Sequence, residues 1–595
     1  VRTEVRIAPG VVSDDTPLTA KGRWIDASNV RFVDGCLEVI GGWESVTWEK
    51  VLGVCRTVFQ WTDTEDVPSL NIAFGSHSHL QVWMGGVLYD VTPTLALPAQ
   101  TLGKDPLEVA DGQSVVTVTQ PGHPYEVGDE LTVAGADEVG GITPNGDVTV
   151  TAVTADTWSF DFGSAATSDA TGGGDEVVVT PKRPFSEGMI DGTGGSGFGT
   201  GAWDVGAFGM PSTADYFPRT WSFGAWGGEL IGAPRGGTIY HWANDTGAKA
   251  VPVKNAPAKV KAVLVSHTDQ VFALGCNEEA SGLYNPLCIR HSGIRRLNEW
   301  TTLTPEDSTA REYILPGGGE IVSGRNMGPY ILVWTTNALF VGYYAANLAQ
   351  PWKFERVAEN CGLIGPNAAV VVGQRAVWLG PDMQFRIYNF GGQPEIIPCP
   401  IRHDFAANLT PSQADKIVAS SVSRFGEVRF DYPDVRDGFE NSRYVVVSLQ
   451  TGLWTRGVMA RTAMVDAGPS ENPIGVAPDG SIYWHERGQS ADGAPLSWHA
   501  ETGELYLDPN TSVMIRSLWP DVAGQVGPWN LTLITRRRPN GRPRVVGPKA
   551  FASTTEKVDL RVDGRLFRLR LSGASSPAAG RLGTLVFDTV RTSSR

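Results

Sequence analysis

Short apolar runs bounded by Gly, Asp, Asn or Pro recur along the whole chain, and long helical periods are scarce. Val30-Arg31-Phe32-Val33 alternates like a half-buried strand, and Asp34-Gly35 turns the chain toward Leu37-Glu38-Val39-Ile40, a first β-hairpin. Further on, a loose unit repeats: an apolar strand, a turn, then a strand ending in aromatics. Copies run over Ile72–Trp83, Leu230–Trp242, Leu332–Val341, Ala376–Tyr388 and Ile474–Trp484, with a weaker one over Val445–Trp454. Several gaps approach the roughly 40–50 residues of a four-stranded propeller blade. The pattern predicts an all-β chain whose body is a β-propeller of about six blades. A stacked β-sandwich gives similar strand counts and stays open as the other reading.

Composition divides the chain. Residues 1–50 are expected to be an N-terminal β segment that closes the propeller, and 51–102 its first strands. Residues 103–180 read as an inserted small all-β domain, a barrel or sandwich of short alternating strands such as Ser114–Thr119 and Val148–Thr151. A Gly-rich loop follows at 181–214, then the propeller body at 215–490. Residues 491–595 read as a basic, antiparallel C-terminal β-domain. In the insertion, acidic residues outnumber basic ones by more than ten, and Lys104 is almost the sole cation. From 511 onward about fifteen Lys and Arg face about five Asp and Glu, and Arg536, Arg537, Arg538, Arg542 and Arg544 crowd one loop. That loop reads as a solvated turn, as a docking surface for an acidic partner or neighbouring subunit, or as a contact to DNA phosphates. Head-to-tail packing of identical subunits would use the charge split.

At 595 residues the chain is long enough for several domains, and 41% apolar against 19% charged residues make it globular. With 70 Gly and 39 Pro, turns are plentiful. The net charge of −15 argues against a protein that grips DNA, and suits a surface DNA slides past. No run long enough to span a membrane occurs, and Val1-Arg2-Thr3-Glu4 opens no apolar signal segment, so neither a span nor a secretory signal is expected. The six cysteines form no C-x-x-C pair and are expected free in a reducing cytoplasm; whether Cys276 and Cys288 lie across a hairpin from each other is not readable from the sequence.

Candidate chemistry is thin. His77 and His79 lack a nearby ligand partner and read as turn residues. Glu278-Glu279 and Asp14-Asp15 are adjacent acids in loops, and adjacency says nothing about the spatial separation a glycosidase needs. Gly192–Trp203 is glycine-rich, but no Lys-Ser/Thr follows to make a phosphate cradle; exposed contact surface is the better reading. Ala477–Trp484 loosely matches the Asp-box turn of sialidases, itself structural. No catalytic, cofactor-binding or metal-binding residues are assigned, no cofactor is expected, and the chain is not expected to be an enzyme.

The opening stretch carries one further signal: Pro9 and Gly10, then Asp15, Thr16 and Pro17, then Trp24, Asp26, Asn29, Val30, Arg31 and Phe32, closing with Gly35 and Gly41-Gly42-Trp43. This resembles the start of the tail nozzle proteins of short-tailed bacteriophages, also called tail tubular B-like or packaged-DNA stabilisation proteins. The insertion looks like small all-β domains that recur in phage tail proteins. The resemblance implies a structural virion protein assembled in the host bacterial cytoplasm. About six copies would form a ring below the head-to-tail adaptor, a homohexamer. It implies as partners the chain itself, the adaptor, tail fibres or tailspikes, double-stranded DNA passing without sequence recognition, and the host surface at the distal end. The gate residues are not readable. Rival readings are a receptor-binding or glycan-degrading tail protein and a propeller enzyme.

Overall fold

A computed structural model describes residues 1–64, 69–96, 99–185, 187–192, 217–302, 308–317, 319–347, 349–508 and 511–592. It is almost wholly β and divides into two compact units: 1–90 with 188–244 and 252–595, and 91–187 with 245–251.

The first unit contains a β-propeller. Among the described residues seven four-stranded sheets follow one another, six of them running in chain order and the seventh completed by a strand from the N-terminal segment. Their inner strands are Cys55–Thr62, Trp221–Trp226, Val260–Val265, Ile321–Met327, Ala369–Val372, Val418–Val422 and Ala463–Val465. Inner strands of successive blades pack side by side, and that of the seventh blade packs on that of the first, closing a ring. Second strands of the blades, such as Val271–Asn277 and Glu427–Pro433, are buried on both faces. In Val271–Asn277 this burial shows in the sequence as an apolar run, whereas Glu427–Pro433 alternates charged and apolar residues and buries both.

Seven blades replace the expected six or so. The blade missing from the sequence repeat is the third. Its strands Val260–Val265, Val271–Asn277 and Tyr284–His291 are separated from its outer strand Arg311–Ile314 by a long excursion.

The N-terminal segment also departs from expectation. Of residues 1–50, only Trp43–Ser45 joins the propeller, as the outer strand of the seventh blade beside Ile482–His485. The rest builds a second pair of sheets with the C-terminal region. Arg2–Val5, Val30–Val33 and Cys36–Val39 share a six-stranded sheet with Val513–Val526, Val558–Gly564 and Ala579–Arg591. Ala8–Val11 and Arg23–Ser28 share another with Leu496–Thr502, Trp529–Arg536, Arg544–Phe551 and Leu566–Ser575. Trp498, Trp529 and Leu569 from one sheet and Ile515, Leu518 and Phe587 from the other lie in one hydrophobic core, which continues into the fourth, fifth and sixth blades. The expected C-terminal β-domain is therefore a composite of both chain ends. The Val30–Val39 hairpin forms with Asp34 (φ 50°) and Gly35 (φ 78°) in its two-residue turn, the conformation a type I′ turn needs.

The second unit is all β, with its own core around Leu107, Val116, Val118, Leu131, Trp158 and Phe160. Its bounds, 91–187 plus 245–251, are wider than the expected 103–180. The flanking strands Thr94–Ala96 and Val178–Pro184 pair with each other and belong to its sheet. Most of the expected Gly-rich loop, from 193 to 214, lies outside the described residues.

Candidate functional site: the propeller axis, the N-terminal joint and the basic loop

The seven inner strands enclose an axial cavity of about 670 Å³. Where the inner strands begin, side chains reach across it. Asn367, ahead of the fifth blade, donates from Nδ2 to the Arg56 carbonyl and Thr57 Oγ1 of the first blade, both at 3.1 Å. Arg325 of the fourth blade donates to Asn367 Oδ1 (3.2 Å) and to the Pro366 carbonyl (3.0 Å). No carboxylate pairs with Arg325 among the described residues, and burial pushes its guanidinium down to about 10.

Beside it, Arg56 donates to both oxygens of Glu440 (2.5 and 2.6 Å), and Lys416 donates to Glu440 (2.9 Å) and Asp191 (2.5 Å). Burial alone would raise the Glu440 carboxyl, but Arg56 and Lys416 outweigh it and hold it below its ordinary value. Gly192 exchanges hydrogen bonds with the Gln413 side chain, so the described residues before 193 are fastened at this mouth. Where the inner strands end, Asp466 accepts from Ser421 Oγ (2.7 Å), the Ser423 amide (2.9 Å) and Ser423 Oγ. One propeller's axis is a small polar cavity spanned by hydrogen bonds.

The opening motif becomes a joint between the propeller and the composite sheets. Arg31, 4% exposed, donates to both oxygens of Glu486 (2.8 and 2.6 Å) and to Glu427 (3.3 Å), with its guanidinium 3.6 Å from the Phe425 ring centre. Burial opposes its charge, but the two carboxylates outweigh that and strengthen proton binding. Burial raises Glu427, against the pull of Arg31. Asn29 takes φ 55°, donates to the Ser497 carbonyl (2.8 Å) and accepts from Tyr444 (2.9 Å). Asp26 accepts from Arg456 (2.8 Å) and His499 (3.0 Å). Burial would raise its carboxyl, but the His499 bond and the Arg456 charge hold it down at about 2.

Glycine is required twice at this joint. A Cβ on Gly41 would stand 2.6 Å from Glu486 Oε2, and one on Gly42 would stand 2.3 Å from the Ser490 carbonyl. Trp43 then enters the seventh blade, with Arg461 5.2 Å from its ring centre. Trp24 and Phe32 lie in the core. A Cβ on Gly10 (φ 89°) would stand 3.0 Å from Leu453 Cδ2. The amides of Ser13 and Asp14 bond the Pro400 carbonyl, and Thr16 and Pro17 accept from Ala20 and Glu504. Pro9 lies in the strand Ala8–Val11, and Asp15 is exposed beside it.

Sequence reasoning missed the rest of this buried network. Arg429 donates to both oxygens of fully buried Asp431 (3.1 and 3.0 Å from Nε, 2.6 Å from Nη2). Arg461 Nε donates to His485 Nε2 (2.8 Å). Burial, with the charges of Arg461 and Arg429, holds His485 neutral, well below its ordinary range. Charged residues in period-two strands normally read as solvent-facing, so nothing in the sequence marked these as interior.

The basic loop lines a concave site of about 320 Å³. Arg536 pairs with Glu504 (3.1 Å), and Arg537 and Arg544 share Asp563 (3.2 Å each). Arg538 and Arg542 line the same site with no partner among the described residues.

The remaining candidates fall into structural roles. His77 Nδ1 accepts from the Val54 amide, just ahead of the strand Cys55–Thr62, and His79 Nδ1 meets Ser78 Oγ within the turn. Asp479 bonds Ser481 and pairs with Lys50, with Gly480 at φ 83°. Cys276 and Cys288 are buried, free, and face each other at 3.7 Å between sulfurs. Among the described residues no group of three His, Cys, Asp or Glu side chains is arranged to hold a metal.

No family model matches the chain, and no curated protein matches it. Among solved structures, it is similar to the β-propeller domain of Cps50 (Swd1) from Myceliophteria thermophila, at 10% identity and TM-score 0.30, covering 66% of this chain and all of that one. It is also similar to BamB from Moraxella catarrhalis, at 11% identity and TM-score 0.27, covering 66% and 97%. A third is the phage phi92 endosialidase, at 11% identity and TM-score 0.19, covering 73% and 63%. At these values none of the three bears on what this chain does; its propeller is defined by its own strand pairing.

Proposed function

We propose that this chain is a structural protein of a phage virion, the tail nozzle of a short-tailed bacteriophage. In this reading its copies form a ring below the head-to-tail adaptor. The ring retains the packaged genome and opens as its conduit during ejection, and tail fibres or tailspikes attach around it. The observation that carries the reading is the joint. The residues that carry the nozzle resemblance (Asp26, Asn29, Arg31, Gly41, Gly42 and Trp43) meet Glu427, Tyr444, Arg456, Glu486 and Ser490 from the last two blades and the segment that follows them. The motif thus has a demanding structural purpose over the whole fold, beyond that of a first hairpin.

The axial cavity bears on where DNA would run. Bonds from Asn367 cross it, so in this reading the duplex passes through a channel built between copies and not through a single propeller. The work is then gating by a rigid-body or loop shift, without catalysis. The test is to block production of the protein during infection and image the particles. The expected particles carry an adaptor but no distal tube and lose their DNA. Filled particles with a complete tube that merely fail to adsorb would overturn the reading and point to receptor binding.

A further inference from the structure

The basic loop and the inserted domain are oppositely charged surfaces; among the described residues the loop sets five arginines against Glu504 and Asp563 alone, and the domain has almost no cations. In residues 103–180, fourteen Asp and Glu stand against Lys104. Among the described residues the one ion pair to this stretch is Asp147 with Lys182. The turns gather part of the charge at one end of that domain. Asp105 Oδ1 accepts from the Gly174 amide, and the Asp137 amide donates to the Gly173 carbonyl. Asp105, Asp137, Glu138, Asp175 and Glu176 therefore crowd together, all exposed.

The basic site has the complementary charge. It is a concavity with two guanidiniums, Arg538 and Arg542, that have no ion-pair partner among the described residues. Arg537 and Arg544 show how it holds a carboxylate, since both already grip Asp563. Guanidinium forks suit carboxylates, and a desolvated Arg–carboxylate contact gains most where several donors converge. The adjoining strand Arg544–Phe551 is the outermost of its sheet and largely exposed, so its free backbone groups widen the contact area. Duplex DNA is the poorer occupant, because a chain of net charge −15 repels it.

We infer that the acidic end of the inserted domain of one copy docks into the Arg536–Arg544 site of a second copy. Each copy carries both surfaces, so the contact is head-to-tail and propagates into a closed ring or an open filament. This names the ring contact of the preceding reading, but the two fail separately: particle morphology tests the nozzle, and assembly in solution tests this contact.

The experiment uses the full-length protein and analytical ultracentrifugation. Wild type is expected to sediment as an assembly at low ionic strength and as a monomer at about 0.5 M salt, where the screening length falls to a few ångströms. Two variants separate the surfaces: Arg538→Glu with Arg542→Glu, and Glu138→Lys with Asp175→Lys and Glu176→Lys. None of these five side chains has an ion-pair partner among the described residues, so the fold should tolerate both sets. Circular dichroism checks that each variant is folded. Alone, each should be monomeric; mixed, they should assemble again, because their charges are exchanged. A wild type that stays monomeric at low ionic strength, or a mixture that stays monomeric, overturns the contact. So does a wild type that retards a short DNA duplex through Arg538 and Arg542 while its self-assembly ignores them.

Discussion

At Arg31 one guanidinium holds two carboxylates: Glu427 of the sixth blade and Glu486 just beyond the seventh blade's third strand. Removing it leaves buried Glu427 and half-buried Glu486 side by side without their shared counter-charge. Breaking a buried pair from one side costs about 3–5 kcal/mol, so Arg31→Met should lower the unfolding midpoint well below wild type in a chemical denaturation series. Arg31→Lys should recover little, since an ammonium cannot reproduce the fork onto Glu486.

His485 gives a pH signature. Its Nε2 accepts from Arg461, Arg429 adds a second positive charge, and Trp43 packs near its ring. The folded imidazole refuses a proton that the unfolded one takes up near pH 6.5. Stability is therefore full above that pH and falls as pH drops below it, by about 1.4 kcal/mol per unit for one proton. Asp26 adds a second loss lower down: its folded value of about 2 contributes stability above the ordinary Asp range that disappears as pH falls toward 2. His485→Gln should remove about half of the slope between pH 6.5 and about 4.5, because His291, held down at about 4 by burial, keeps its own share there, and should leave the lower limb intact.

At the scale of elements, the seventh blade depends on three residues far away in sequence. Trp43–Ser45 covers the edge of Ile482–His485. A chain beginning after Ser45 should expose that edge and lose the joint, giving a protein that aggregates on expression or unfolds over a broad, non-cooperative range. A milder lesion separates packing from strand loss. Gly42→Ala places a methyl against the Ser490 carbonyl and should cost about 1–3 kcal/mol, whereas Gly103→Ala, with open space around it, should leave the denaturation midpoint unchanged. Most elements were readable from the chain. The Val30–Val39 hairpin, the aromatic-ended blade strands and the separate insertion follow from period, turn residues and charge. The third blade was not, because the stretch between His291 and Arg311 breaks its spacing. Nor was the pairing of the first forty residues with the last hundred, because strand partners distant in sequence leave no local mark.

Over the whole molecule, charge and connectivity meet. The chain returns to its start: Trp43–Ser45 closes the propeller, and the strands before it share two sheets with the C-terminal region. Sequence alone determined the β class, the propeller repeat, the acidic insertion, the basic loop and the glycine and tryptophan positions of the opening motif, because these depend on composition and on neighbours a few residues apart. Tertiary structure decided the blade count, the composite sheets, the bonds across the propeller axis and the burial of Arg31, Arg429, Arg461 and His485. Each of these depends on which distant segments meet, and a charged side chain reads the same in a sequence whether water or a buried carboxylate faces it.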